Sequence, residues 1–159
     1  MPTSPPADAA RFVERFGSAL TAAGMPRLPA RVFAALLADD DGAMTATELG
    51  DALEVSAASV SGAVRYLQQV RLTHRERQPG TRRDLHVVAD DAWHEAMISS
   101  GQVYGPLRAV LAEGVAAVGG RTTQAGERLA LSADFLEFLT DELEEVARRW
   151  EKRRAELAR

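Results

Sequence analysis

The chain has 159 residues, 46% of them apolar, no cysteine and a formal net charge of −4; this suits one domain, or one domain with a helical appendage. Disulfides, thiolate metal sites and thiol chemistry are excluded, and no apolar run approaches the ~20 residues of a membrane-spanning helix. The first residues, MPTSPPADAARF, lack the basic-then-apolar pattern of a signal peptide, so a cytoplasmic location is expected.

Residues 1–7 read as a disordered lead. Asp8 is placed to cap a first helix, along which Phe12, Val13, Phe16 and Leu20 recur at helical spacing until Gly24 and Pro26 end it. A second helix is expected from about Leu28 to Leu37, with Pro29 in its first turn and Val32, Phe33, Leu36 and Leu37 facing inward. Asp39-Asp40-Asp41-Gly42 is a polar turn. Thr45-Ala46-Thr47-Glu48 is a capping box, in which hydroxyl and carboxylate satisfy each other's exposed amides. Leu49 and Leu53 face inward from the helix it opens, and Val55 is expected to be the buried residue of a tight turn. Ser56 caps the next helix, which runs to about Val70 with Val60, Val64 and Leu67 as its inner stripe. Its other face offers Ala57, Ala58, Ser59, Ser61, Gly62 and Arg65, small and hydroxylated groups that permit close approach to a phosphate backbone and base edges.

Leu72 to Arg77 alternates like a strand, Gln78-Pro79-Gly80-Thr81 suits a type II turn, and Leu85 to Val88 returns. Residues 56–89 carry six arginines against Glu76 and Asp84, in a chain that is otherwise acidic. A basic hairpin alone is most simply a solvated surface. Beside a helix–turn–helix it becomes a wing, and the pair points to double-stranded DNA. The expected contact set is Thr45, Ser56, Ala57, Ser59, Ser61 and Arg65, with Arg75, Arg77, Arg82 and Arg83 from the wing. The expected fold is mainly α with a small β-hairpin: a winged helix-turn-helix domain over residues 8–89 and a helical dimerisation region over 90–159.

That second region starts at Asp90 or Asp91 with a long helix carrying Trp93, Met97, Tyr104, Leu107, Leu111, Val115 and Val118. Gly101, Gly105 and Pro106 predict a kink in it. Gly119-Gly120 ends it, and Thr122 or Thr123 caps a last helix reaching Leu157. A helix of about 35 residues spans roughly 50 Å, more than a small monomer covers, so a homodimer is expected. Trp93, Met97, Tyr104 and Trp150 are candidates for an aromatic effector pocket between the two regions; the plainer expectation is that they are packing anchors. His74, His86 and His94 lack the clustered partners of a metal site. No phosphate loop, nucleophile elbow or metalloprotease pair occurs, and no base is visible for Ser59 or Ser61, so neither catalysis nor a cofactor is expected. The rival to a DNA-binding regulator is a winged-helix interaction module that docks a co-regulator through its C-terminal helices.

The order of elements resembles the MarR-type winged-helix transcription regulators, and four stretches resemble their GbsR-like branch. These are Ala23 to Val32, with its Gly24-Met25-Pro26-Arg27 opening to the second helix; Leu49 to Leu67, with Val55, Ser56, Ser59, Val60, Ser61 and Arg65; Gly80-Thr81-Arg82-Arg83-Asp84; and Arg128-Leu129, Asp134-Phe135 and Phe138-Leu139. The resemblance implies a homodimeric regulator, most simply a repressor, on a pseudo-palindromic operator, with effectors of choline type or unknown. It places Ser56, Ala57, Ser59, Ser61 and Arg65 at the major groove and Arg82 and Arg83 on the wing. Two departures stand out: Gln69-Val70-Arg71-Leu72 has no glycine where the family commonly ends its recognition helix, and Ala57 and Ala58 leave few long polar side chains at its first turn.

Overall fold

The computed structural model describes residues 7–158, apart from the side chains of 7, 95 and 97–102. The elements in order are α1 (Ala7–Ala22), α2 (Arg27–Ala38), β1 (Ala43–Thr45), α3 (Ala46–Leu53), α4 (Ala57–Gln69), β2 (His74–Arg77), β3 (Asp84–Val87), α5 (Ala92–Ala117) and α6 (Gln124–Leu157). The chain divides into two compact units, one ending at Trp93 and the other beginning at His94.

The first unit is built around α2, which is buried from Pro29 through Leu36 except for half-buried Arg31. Phe33, Leu36 and Val32 meet Leu49 of α3 and Val60 and Leu67 of α4 in a core with under 2% exposure. Each such side chain contributes about 1.5–3 kcal/mol by leaving water. Trp93, itself 43% exposed, packs edge-on against Phe33 at the margin of this core, ring centres 5.3 Å apart. Gly17 lets α1 lie close on α2: a Cβ there would stand 3.1 Å from the Arg31 side chain. Asp8 falls within the first turn of α1 rather than at its cap, because the helix already includes Ala7. Val55 is half-buried rather than buried.

The sheet has three strands in the order β1-β3-β2, all antiparallel, where the sequence suggested two. The extra strand, Ala43–Thr45, pairs with β3 so that Met44 faces His86 across the ladder. On the other side Arg75 pairs with His86 and Arg77 with Asp84. The wing tip is the expected turn: the Thr81 amide donates to the Gln78 carbonyl at 3.2 Å, with Gly80 at φ +75°, the sign a type II turn requires at that position.

Four helices end in the same way. Past α1, α3, α4 and α5, an amide five residues on reaches back to the last-turn carbonyl: Met25 to Leu20, Val55 to Gly50, Leu72 to Leu67 and Gly120 to Val115. This is the Schellman closure, which needs one residue in left-handed backbone. Gly24 and Gly119 supply it after α1 and α5, while Glu54 (φ 55°) and Arg71 (φ 59°) supply it after α3 and α4. The corner that lacks glycine is therefore turned by Arg71 itself, and α4 stops at Gln69 rather than Val70.

In the second unit α5 begins at Ala92, later than Asp90 or Asp91, and continues through Pro106 to the Gly119-Gly120 stop. Thr123 caps α6, its hydroxyl accepting from the Gly126 amide at 3.0 Å. Arg121 grips Asp134 through two hydrogen bonds of 3.1 and 2.9 Å, and Arg108 pairs with Glu137. The hydrogen bonding between Arg121 and Asp134 holds the Asp134 carboxyl below its usual range and raises Arg121. Only Gly126, Ala130 and Ala133 of α6 are buried. Val103, Leu107 and Val110 of α5 and Leu131, Phe135 and Phe138 of α6 are all exposed.

Candidate nucleic-acid interface

The helix–turn–helix is held by its caps. The Thr45 hydroxyl accepts from the Glu48 amide at 3.2 Å, and the Glu48 carboxylate accepts from the Thr45 amide at 2.7 Å and hydroxyl at 2.8 Å. These bonds hold the Glu48 carboxyl below its ordinary value, with the positive charge of Arg83 adding to the effect. Thr45 is 4% exposed, so its hydroxyl is committed to the cap. The turn packs on Gly50, where a Cβ would lie 2.9 Å from the Val55 carbonyl oxygen. At the start of α4, the Ser56 hydroxyl accepts from the Ser59 amide at 3.2 Å and shares a hydrogen bond with the Ser59 hydroxyl at 2.9 Å. Ser61 donates to the Ala57 carbonyl at 3.1 Å. Ser56, Ala57, Ser59, Ser61, Gly62 and Arg65 are all exposed along one face of the helix.

Arg75, Arg77, Arg82 and Arg83 of the wing are exposed as well. They are not equivalent. Arg75 is drawn to Asp84 at 3.3 Å, whereas Arg65, Arg77 and Arg82 have no ion pair among the described residues. Arg77 and Arg82 sit toward the tip, and Arg75 and Arg83 toward the helices. Between wing and helices lies a groove of about 430 Å³, lined by Thr45 and Thr47 of the α3 start, Ser61, Arg65 and Gln68 of α4, and Arg75, Arg83 and His86 of the wing. It joins five of the ten expected contact residues. Ser56, Ala57 and Ser59 lie outside it at the α4 N-terminus, and Arg77 and Arg82 lie outside it on the hairpin.

Six groove residues, Ala46, Thr47, Val64, Gln68, Asp84 and His86, lie outside the expected contact set. Gln68 follows Arg65 by three positions and so shares its face, and Thr47 is the exposed hydroxyl at the second position of α3; both were legible from spacing. His86 was not. It is 7% exposed, its Nδ1 is buried without a hydrogen-bond partner among the described residues, and burial lowers its pKa, outweighing the pull of Asp84. His74 pairs with Glu76 at 2.9 Å. No group of three metal-binding side chains occurs among the described residues.

The aromatic candidates are dispersed between the units. Trp93 belongs to the first, on Phe33. Tyr104 and Trp150 belong to the second, where the Trp150 ring lies 6.4 Å from His94. The Met97 side chain lies outside the described residues.

Two family models match successive parts of the chain. One, described as the MarR family, covers residues 23–84, and the other, an MmpR5-like MarR family transcriptional regulator, covers residues 91–153. Among solved structures, one described as a transcriptional regulator superposes with a TM-score of 0.81 at 24% identity, covering 91% of this chain and 99% of its own. MepR, a transcription regulator of the Staphylococcus aureus multidrug efflux pump MepA, has a TM-score of 0.43 at 13% identity, with coverage of 84% and 90%. Sco3205, a MarR family regulator from Streptomyces coelicolor solved with DNA, has 0.42 at 19%, with coverage of 75% and 86%. No curated protein matches.

Proposed function

We propose that the chain is a sequence-specific DNA-binding regulator of the MarR winged-helix type, a reading that the two successive family-model matches support. In this reading it acts as a homodimer, most simply a repressor, on a pseudo-palindromic operator. The observation that carries the reading is the groove in which the exposed face of α4 and the wing arginines converge. α4 would lie in the major groove, where Arg65 and Gln68 are the side chains long enough to reach base edges, and Ala57 and Ala58 offer contact to thymine methyls. Ser56 and Ser59, at the helix N-terminus, suit a backbone phosphate. Arg77 and Arg82, with no ion pair among the described residues, suit an adjacent minor groove.

A second copy is the natural cover for the second unit. A single chain leaves Leu131, Phe135 and Phe138 of α6 between 58% and 71% exposed, a run of large apolar groups that a monomer rarely presents to water. Two reading heads fixed by such an interface would meet half-sites about one helical turn apart. The likeness to the GbsR-like branch rests on the sequence stretches alone, and so does an effector pocket at Trp93, Met97, Tyr104 and Trp150.

Gel-shift titration against genomic fragments, starting with the chain's own upstream region, tests the reading. A retained fragment with a protected two-fold footprint is expected. No retention at low salt, together with a stable complex with another protein, would turn the assignment to the interaction module.

A further inference from the structure

A cavity of about 560 Å³ opens between α1, α2 and the end of α3, on residues that the DNA-binding reading leaves unused. Its floor is apolar: Val13, Ala35 and Leu53 are all buried. Its rim is charged and unbalanced, with Glu14, Asp39, Asp40 and Glu54 against a single cation, Arg31. Arg31 is already matched: its Nε and Nη2 both donate to Glu14 Oε1, at 2.8 and 2.6 Å, and Nη2 also reaches the Leu53 carbonyl at 3.4 Å. Glu14 Oε2 has no hydrogen bond among the described residues, and Asp40 and Glu54 have no ion pair among them. Asp39 is occupied, since its Oδ2 accepts from the Asp41 and Ala43 amides.

We infer that this cavity binds a lipophilic cation: an apolar body seated on Val13, Ala35 and Leu53, with its positive charge toward Glu14, Asp40 and Glu54. The volume lies within the few hundred Å³ typical of small-molecule sites, which pair an apolar lining with a few placed polar groups. The sign follows from the surplus of carboxylates. An anion would have to displace Glu14 from Arg31 while facing Asp40 and Glu54, whereas a cation uses acceptors that are already vacant. The inference stands apart from the DNA reading, since a chain that bound no DNA would keep this site.

The test is calorimetric titration of the full chain with tetraphenylphosphonium at low salt, and with benzoate for comparison. Saturable binding at one site per chain is expected for the cation, weakening with added salt, and none for benzoate. Asp40→Asn with Glu54→Gln changes two exposed side chains and should weaken binding about tenfold, equivalent to about 1.4 kcal/mol, with the helical circular dichroism unchanged. Glu14→Gln should weaken it further. Equal affinity in the charge variants, preference for benzoate, or loss of binding in Trp150→Ala with none in the carboxylate variants would overturn the inference.

Discussion

The Leu72 amide donates to the Leu67 carbonyl at 3.0 Å, closing α4 over Arg71 in left-handed backbone. A side chain in that conformation costs about 1 kcal/mol or more, and Glu54 bears the same strain in the turn between α3 and α4. Glycine removes the strain and gives back part of the gain through its freer unfolded state. Arg71→Gly and Glu54→Gly are each expected to raise stability by up to about 1 kcal/mol, read as a higher urea midpoint at constant slope. A lower midpoint for Arg71→Gly would mean that its side-chain interactions outweigh the strain.

His86 should make stability depend on pH. Its pKa is lowered in the fold, chiefly by burial, from an ordinary value of 6.5. The unfolded chain therefore takes up a proton at this position before the folded one does, and stability is lost as pH falls below about 6.5 until the folded value is passed. Urea midpoints measured between pH 7.5 and 5.5 should fall with acidification, and His86→Gln should flatten that part of the profile. An identical slope in the variant would remove His86 as the cause.

Gly50 is where the turn touches α3. A methyl group there meets the Val55 carbonyl oxygen at 2.9 Å, a backbone atom that cannot rotate away. Gly50→Ala is expected to cost about 1–3 kcal/mol and to weaken DNA binding by displacing α4. Thermal unfolding and gel shift measure the two effects, and full stability in the variant would show that the turn relaxes freely.

On DNA the arginines should separate by role. Arg82→Ala with Arg83→Ala should weaken binding to all sequences and flatten the dependence of log affinity on log salt by about 1–2. Arg65→Ala should instead change the ranking among operator variants, and a uniform loss would assign Arg65 to phosphate.

The apolar stripe of the second unit carries its own prediction. Phe135→Glu with Phe138→Glu should shift the chain from dimer to monomer in sedimentation and abolish the two-fold footprint. Dimers that persist at micromolar concentration would move the interface off this face of α6.

What was legible beforehand was local. The Thr45-Glu48 box, the Ser56 and Thr123 caps and the Gly24 and Gly119 stops depend on residues within a turn of one another, and each is found in the fold. What was missed depends on distant partners. Ala43–Thr45 is too short to show alternation and is a strand only because β3 offers it a ladder. His86 reads as a polar residue of an exposed hairpin, yet it is buried on the central strand, flanked by Met44 of β1 and Arg75 of β2. Arg71 stands where a glycine is common, and its left-handed backbone turns the corner in the glycine's place. In the site, Ser61, Arg65 and Gln68 share a face by spacing alone, but which wing arginines face them follows from hairpin register.

Gly62 lies on the exposed face of α4, and nothing stands within 4 Å of where a Cβ would be. Stability and reading are thus assigned to opposite sides of one helix, Val60, Val64 and Leu67 on one and Ser61, Gly62 and Arg65 on the other. A longer side chain at Gly62 would change the exposed face of this helix and leave its core untouched. The vacant position is room for a new side chain on a surface whose packing would not feel it.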